Sequence, residues 1–165
     1  MVTLRKKNVA AVFGFIALLV GVSGCWPKKS SENDHLKVIN VLDVSLYNDC
    51  HIKGSMHVPF DEFENQARKW LKDHKDDMYV VYCSNYSCTA SGYAAKMLKK
   101  MGFTHVWAYE AGMAGWYQAG MPCEGPAREA YLTMENVSHK DMGTGGFDVL
   151  TTEELKELMD KEWQK

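Results

Sequence analysis

Apolar and polar residues follow two different periods along the middle of this chain. Three short apolar runs, rich in β-branched and aromatic residues, predict buried strands at 37–44, 78–82 and 105–109. Between and after these runs, apolar residues recur every three or four positions, which is typical of helices. Strands that alternate with helices predict parallel βαβ units with right-handed crossovers, and therefore an α/β fold.

The predicted helices have clear signals at their ends. We expect one at 61–74, a second that starts near Thr89 and ends at Gly102, and a short third at 112–118. The apolar face of the first comprises Phe63, Ala67, Trp70 and Leu71. Residues 46–58 contain several turn residues and are predicted to be a loop.

The C-terminal part shows a different pattern. We expect the compact domain to cover 37–126 and a C-terminal extension to cover 127–165. Residues 127–146 show no clear period and end in a Gly-Thr-Gly-Gly spacer. Thr151 and Glu154 have the spacing of a capping box and predict an amphipathic helix over 151–161. Its apolar stripe either docks on the domain or contacts a partner.

The first 24 residues resemble a bacterial lipoprotein signal peptide. Residues 5–7 are basic, an apolar run covers 9–20, and residues 22–25, Val-Ser-Gly-Cys, match the lipobox. The resemblance implies cleavage before Cys25 and lipid attachment to its sulfur. Residues 25–36 are then a polar tether between the lipid and the fold.

These features predict an exported protein that a lipid anchors to the periplasmic face of a bacterial membrane. Trp26 after the lipidated cysteine favours the outer membrane if the source is Gram-negative. Cleavage would remove three basic residues and leave 16 basic against 21 acidic ones. No basic run interleaved with aromatic residues remains, so nucleic acid is not an expected partner.

The candidate chemistry lies in the thiols. Cys83 ends the second predicted strand, and the next helix starts six residues later. Backbone N–H groups converge in such a turn and the helix dipole is positive there, so both favour a thiolate and an anion. Cys83 is therefore the candidate nucleophile. Cys50 and Cys123 are interpreted as buried small apolar residues.

Four groups of residues, in order, resemble the rhodanese family. They are Val41-Leu42-Asp43-Val44 with residues 51–59, Tyr82-Cys83 with its loop, residues 102–106, and residues 112–116 with 120–122. The resemblance implies a mostly parallel five-stranded sheet with helices on both faces. It also implies a sulfurtransferase, in which the loop cysteine takes a sulfane sulfur from a small-molecule donor, holds it as a persulfide and passes it to a thiol or another thiophilic acceptor.

Carried over to this chain, the resemblance makes Cys83 the catalytic nucleophile and places Asp43 near the floor of the site as a supporting residue. The backbone N–H groups of the active-site loop would form an anion cradle. That loop comprises Ser84, Asn85, Tyr86, Ser87, Cys88 and Thr89. Tyr86, at the loop tip, is expected to shape access for the acceptor. No metal and no cofactor are expected.

The chain departs from the family pattern at three places. Ser45 stands where an Arg is common, and Cys50 replaces a Gly. The loop has neither Gly nor a basic residue, which favours a neutral or organic persulfide over thiosulfate, a dianion, as the donor. Cys88 is a second thiol, interpreted either as a packing residue or as a resolving thiol that forms a disulfide with Cys83.

Two further functions follow from the same residues. The first is a thiol–disulfide redox protein that uses Cys83 and Cys88 and needs a thiol-reductant protein as partner. The second is a rhodanese-like binding module without turnover. Phosphatase chemistry is excluded because the sixth position after Cys83 is Thr89, where the phosphatase loop requires an Arg to clamp the phosphoryl oxygens.

Overall fold

The computed structural model describes residues 35–70, 73–138 and 146–163. The predicted signal peptide, the predicted lipidation site Cys25 and nearly all of the predicted tether lie outside these ranges, as do Leu71 and most of the Gly-rich spacer. Within them, no helix has the length and apolar character needed to cross a membrane.

The central sheet has five strands, and all its neighbouring pairs are parallel. Their order across the sheet is β3, β1, β4, β5, β7. The strands are β1 (Leu36–Asn40), β3 (Met56–His57), β4 (Met78–Tyr82), β5 (His105–Tyr109) and β7 (Asp148–Val149). A separate antiparallel pair consists of β2 (His51–Ile52) and β6 (Cys123–Glu124). The α/β class and the parallel five-stranded sheet predicted from the sequence are confirmed.

Helices cover both faces of the sheet. They are α1 (Val44–Asp49), α2 (Phe60–Trp70), α3 (Ala90–Lys100), α4 (Gly112–Gln118) and α5 (Thr152–Trp163), with a 3₁₀ turn at Ala130–Leu132. Side chains alternate along β4, so Tyr79 and Val81 pack with α2 and α3 on one face. Val80 and Tyr82 pack with α4 and α5 on the other face.

The predicted loop at 46–58 is wrong in part, because it contains α1 and two short strands. Asp43 occupies the N-cap position of α1, and its carbonyl accepts a hydrogen bond from the Tyr47 N–H at 3.0 Å. The Tyr47 ring then stacks between His51 and His57, at centroid distances of 4.0 and 4.5 Å. A helix of six residues is too short to produce a recognisable period in the sequence.

The C-terminal extension predicted from residue 127 supplies part of the sheet itself. Its strand β7 pairs with β5, and the neighbouring Phe147 is buried in the core. Helix α5 buries Leu155 and Met159 against the sheet. The capping box is present, since the Glu154 N–H donates to the Thr151 hydroxyl and the Thr151 N–H donates to the Glu154 carboxylate. Residue 126 is therefore not the end of the packed structure.

Candidate active site

Cys83 follows β4 directly, at the carboxyl edge of the central strand of the sheet. Residues 83–89, which we call the cysteine loop, connect this strand to α3. Two backbone hydrogen bonds attach the loop to α4: Met113 donates to the Cys83 carbonyl and Ala114 donates to the Ser84 carbonyl, both at 2.9 Å. The loop is therefore held between the two helices that follow β4 and β5.

The sulfur of Cys83 is fully buried. It donates a hydrogen bond to the Cys88 carbonyl at 3.1 Å and lies 3.3 Å from the Ser91 hydroxyl oxygen. Contact with the Cys88 thiol, followed by loss of water around the sulfur, raises the pKa of Cys83 well above its usual range. Hydrogen bonds from the Ser91 hydroxyl and N–H oppose this shift but do not reverse it.

Cys88 has the opposite character. It is partly exposed, and a hydrogen bond from the Cys83 thiol lowers its pKa to about 5. Burial opposes this shift and is the second-largest influence, while the N–H groups of Ala90 and Ser84 and the Ser84 hydroxyl also stabilise the thiolate. Ala90 is the first residue of α3, so an N–H group at the start of that helix faces the Cys88 sulfur.

The predicted ionised and reachable sulfur at Cys83 therefore does not match the structure. The N–H group of Ser84 in the loop and that of Ala90 at the start of α3 stabilise a thiolate, but they serve Cys88. The physical reason is that two sulfurs in contact share one negative charge, which settles on the better solvated and better hydrogen-bonded atom. The sequence indicated that a thiolate belongs to this loop, and tertiary contacts determine which cysteine carries it.

Asn85 sets the shape of the loop through its side chain. Its carboxamide oxygen accepts a hydrogen bond from the Ser87 N–H at 3.1 Å, and its carbonyl accepts one from the Cys88 N–H at 3.0 Å. Among the described residues, the only one other than glycine with a positive φ is Ala127. The loop therefore turns through an Asx-type hydrogen bond without a left-handed residue at Asn85.

The remaining loop residues lie around this pair of sulfurs. Tyr86 is partly exposed and its ring packs against the core beside α4. Ser87 and Thr89 are exposed, and Thr89 occupies the N-cap position of α3 without a hydrogen bond from its side chain. Tyr86 is thus placed where it can shape access to the loop.

Asp43 follows β1 at the same edge of the sheet, because β1 and β4 are parallel neighbours. Its side chain is exposed, and no hydrogen bond found among the described residues joins its carboxylate to the cysteine loop. A supporting role for Asp43 stays a prediction.

Asn136 is a residue of this site that the sequence did not indicate. Its carboxamide oxygen accepts a hydrogen bond from the Tyr86 N–H at 3.1 Å, and its amide donates to the Ala111 carbonyl at 2.8 Å. It thereby bridges the loop tip and the start of α4. No signal in the aperiodic segment around Asn136 could have identified this role.

Gly112 is required where α4 approaches the loop. It has a φ of +62°, and a Cβ placed there would lie 2.7 Å from the Asn85 nitrogen and from the Cys83 carbonyl oxygen. Gly112 therefore permits the two backbones to approach closely enough for the hydrogen bonds from α4.

The arrangement supports thiol chemistry. Within the described ranges, no group of three or more His, Cys, Asp or Glu side chains is placed to hold a metal ion. The loop contains one buried thiol and one partly exposed sulfur with a lowered pKa, and its sequence has no Lys, Arg, His, Asp or Glu.

The sequence of this chain matches a family model, the rhodanese-like domain, over residues 26–119. The chain belongs to the rhodanese-like family. This range contains the whole cysteine loop, and Cys83 stands at the end of its central strand. The matched range therefore includes every residue of the loop, whereas Asn136 lies outside it.

Two curated relatives of this rhodanese-like chain concern sulfur. The chain is 30% identical over 89 residues to a putative sulfur carrier protein, YrkF, of Bacillus subtilis, covering 54% of this chain and 45% of that protein. It is 32% identical over 68 residues to the thiosulfate sulfurtransferase PspE of Escherichia coli, covering 41% of this chain and 62% of that protein. The chain thus spans about half of these relatives' length.

A solved structure with the same fold is that of the BH2092 protein from Bacillus halodurans. It aligns with a TM-score of 0.50 and 23% identity, over 58% of this chain and 67% of that protein. This likeness concerns the fold alone.

Proposed function

We propose that this rhodanese-like protein is a sulfurtransferase that carries a sulfane sulfur as a persulfide on Cys83 and receives it through Cys88. The observation that carries the proposal is the contact between a buried thiol, Cys83, and a partly exposed thiolate, Cys88, in the family's active-site loop. The relatives described as a sulfur carrier and a thiosulfate sulfurtransferase support the same class of reaction.

Exposure and charge assign the first step to Cys88. Its thiolate attacks the outer sulfur of an organic persulfide, R–S–SH, and the thiolate R–S⁻ leaves. The product is a persulfide on Cys88. No net oxidation takes place, because one sulfur–sulfur bond forms while another breaks.

The difference between the two pKa values gives the second step its direction. Cys83 attacks the outer sulfur of the Cys88 persulfide, and Cys88 leaves as a thiol or thiolate. A thiol of low pKa is the better leaving group, and one of high pKa is the better nucleophile once ionised. The sulfur therefore moves inward to Cys83, and the proton of the Cys83 thiol is released to the departing Cys88 or to the new persulfide.

The charges of the site favour an organic persulfide over thiosulfate as the donor. The cysteine loop has no basic side chain, and it already holds the negative charge of Cys88. A dianion that approaches this charge is repelled, whereas a donor with a neutral sulfane group is not. An acceptor thiol then takes the sulfur from Cys83 and completes a ping-pong cycle.

Mass spectrometry tests this proposal directly. The reduced protein is treated with glutathione persulfide or with thiosulfate, and its intact mass is followed over time. We expect a gain of about 32 Da, faster with the persulfide, because persulfidation adds one sulfur atom. Fragmentation of the tryptic peptide 76–96, which contains both loop cysteines, then locates the sulfur on Cys83.

Variants separate the two steps. We expect Cys88→Ser to slow the uptake strongly and Cys83→Ser to leave the sulfur on Cys88, while Cys50→Ser serves as the control with normal uptake. Uptake by Cys88→Ser at the rate of the native protein would disprove the relay and leave direct attack by Cys83. Absence of any adduct on the native protein would disprove the sulfurtransferase itself.

A second function, thiol–disulfide exchange, is favoured by the same contact. A persulfide on either cysteine can be attacked at its inner sulfur by the other, which releases sulfide and leaves a Cys83–Cys88 disulfide. An external thiol reductant would then restore the dithiol. Release of sulfide in proportion to disulfide, without sulfur transfer to an acceptor, would favour this function over the first.

A further inference from the structure

The antiparallel pair β2–β6 brings together two other cysteines, far apart in sequence. Cys50 precedes β2 and has an extended backbone, with φ −158° and ψ 125°, so it continues the strand. Ile52 is directly opposite Cys123. Because residues two apart along a strand share a face, Cys50 and Cys123 are diagonal neighbours on one face of this pair.

Asp49, which precedes Cys50, binds the chain that follows β6. Its carboxylate accepts hydrogen bonds from the N–H groups of Arg128 and Glu129, each at 3.0 Å, and its carbonyl accepts one from Ala127 at 2.8 Å. A Cβ at Gly125 would lie 2.3 Å from the same carbonyl oxygen. The backbones are therefore fixed closely against each other next to Cys50.

The other side of the thiols is fixed as well, since Lys53 donates a backbone hydrogen bond to the Pro122 carbonyl at 3.3 Å. Cys50 belongs to the core on this face of the sheet, and Cys123 packs against the same core. Cys50 is fully buried, whereas Cys123 is partly exposed. Burial, followed by the nearby Cys123, raises the pKa of Cys50 to about 12.

We propose that Cys50 and Cys123 are a second redox site, whose two thiols are oxidised to a disulfide by an external disulfide such as oxidised glutathione. Diagonal neighbours in an antiparallel pair have Cα atoms about 7–8 Å apart, and a disulfide requires about 7 Å or less, so a small approach of β2 and β6 closes the bond. Neither cysteine belongs to the cysteine loop, so the site is separate from the sulfur-transfer chemistry.

The reaction balances as two exchanges. The Cys123 thiolate attacks the external disulfide, forms a mixed disulfide and releases one thiolate. Cys50 then attacks the Cys123 sulfur, forms the Cys50–Cys123 bond and releases the second thiolate. The protein loses two protons and two electrons, and the external disulfide is reduced to two thiols. Since Cys50 must ionise, the second exchange accelerates as the pH rises.

The bond would close a loop of chain that contains β3, β4, β5 and the whole cysteine loop. A disulfide over such a long loop stabilises a protein mainly because it restricts the unfolded chain. In an oxidising environment, the Cys50–Cys123 disulfide would therefore act as a covalent clamp around the sulfur-transfer domain.

Peptide mass spectrometry without reduction tests this inference. The full chain and its Cys83→Ser/Cys88→Ser variant are treated with oxidised glutathione, alkylated and digested with trypsin. Cys50 lies in peptide 38–53 and Cys123 in peptide 101–128, apart from both loop cysteines. We expect these peptides linked, about 2 Da below their summed mass, because two hydrogens are lost.

A stability measurement gives a second readout in the same double variant. Reduction of the linked form is expected to lower Tm by roughly 10 °C, and the Cys123→Ser version should show no such change. Recovery of peptides 38–53 and 101–128 only as separate alkylated or glutathionylated species would overturn the proposal. Equal Tm values for the oxidised and reduced double variant would overturn the clamp.

Discussion

Two sulfur atoms in contact inside a loop cannot both carry a negative charge at neutral pH, because the second ionisation opposes the first across a few ångströms of poorly solvated space. In this protein the charge belongs to Cys88, which has N–H groups and a hydroxyl around it. Cys83 keeps its proton and donates it as a hydrogen bond. This difference between the two sulfurs is the basis of the proposed relay from Cys88 to Cys83.

Removal of either sulfur should change the pKa of the other in a known direction. In Cys83→Ala, Cys88 loses the largest cause of its low pKa, so this pKa should rise above about 5. In Cys88→Ser, Cys83 loses the thiol contact that raises its pKa most, so the pKa of Cys83 should fall. The pH dependence of alkylation by iodoacetamide, followed on peptide 76–96, measures both.

The matched control for these variants is Ser87→Ala, which alters an exposed side chain of the same loop. It should leave the alkylation profile unchanged. Each unit by which the pKa of Cys88 rises should slow its alkylation at acidic pH about tenfold, because less thiolate is present. If the profile of Cys88 in Cys83→Ala matched that of the native protein, the shared charge would be disproved.

At the scale of elements, the site depends on how closely α4 approaches the cysteine loop. The first turn of α4 donates two backbone hydrogen bonds to Cys83 and Ser84, and Asn136 ties the loop tip to the residue before α4. The loop is therefore held by α4 and by Asn136. Gly112 is the position where the approach is tightest.

Gly112→Ala should therefore damage both stability and sulfur uptake. Its Cβ would contact the backbone of the loop at 2.7 Å, in addition to the strain of a positive φ. Gly120→Ala is the matched control, since it has a φ of +69° but open space around the Cβ. We expect a loss of about 1 kcal/mol for Gly120→Ala and roughly 2–4 kcal/mol for Gly112→Ala.

Urea unfolding measures the stabilities of these two glycine variants. The rate at which the adduct of about 32 Da forms shows whether their cysteine loops are still correctly positioned. Only Gly112→Ala should slow the uptake of sulfur, because only its Cβ meets the loop. Equal rates in Gly112→Ala and Gly120→Ala would show that the approach of α4 does not position the cysteines.

Elements with strong patterns could be predicted from the sequence, and elements made by pairing alone could not. β4, β5 and α4 lie at the predicted residues, because their runs are apolar enough to require burial. α1 and β7 were missed, since six and two residues carry no period. In the site, the position of Cys83 at the end of a strand and the loop after it could be predicted, because both depend on residues that are neighbours in the sequence. The thiolate on Cys88 and the bridge by Asn136 depend on contacts across the fold.

At the scale of the whole molecule, the last part of the chain adds the fifth strand of the sheet and a helix that packs on one of its faces. β7 adds the fifth strand, the Tyr109 hydroxyl lies 2.7 Å from the Thr152 hydroxyl, and the Trp163 ring packs on Gly54. Phe147, Leu155 and Met159 are buried in the two cores. Without these residues, β5 would become an uncovered edge strand of the sheet.

A chain that stops after Pro126 should consequently fail to fold cooperatively. It loses four buried side chains, Leu132, Phe147, Leu155 and Met159, at about 2–5 kcal/mol each, which is comparable with the whole stability of a typical domain, about 5–15 kcal/mol. Leu155→Ala, a graded version of the change, should cost about 2–5 kcal/mol. Glu157→Ala, on the exposed side of the same helix, should cost less than about 0.5 kcal/mol. Urea unfolding and near-ultraviolet circular dichroism measure these effects. A sharp transition of native amplitude in the shortened chain would show instead that the rhodanese-like sheet is stable without its fifth strand.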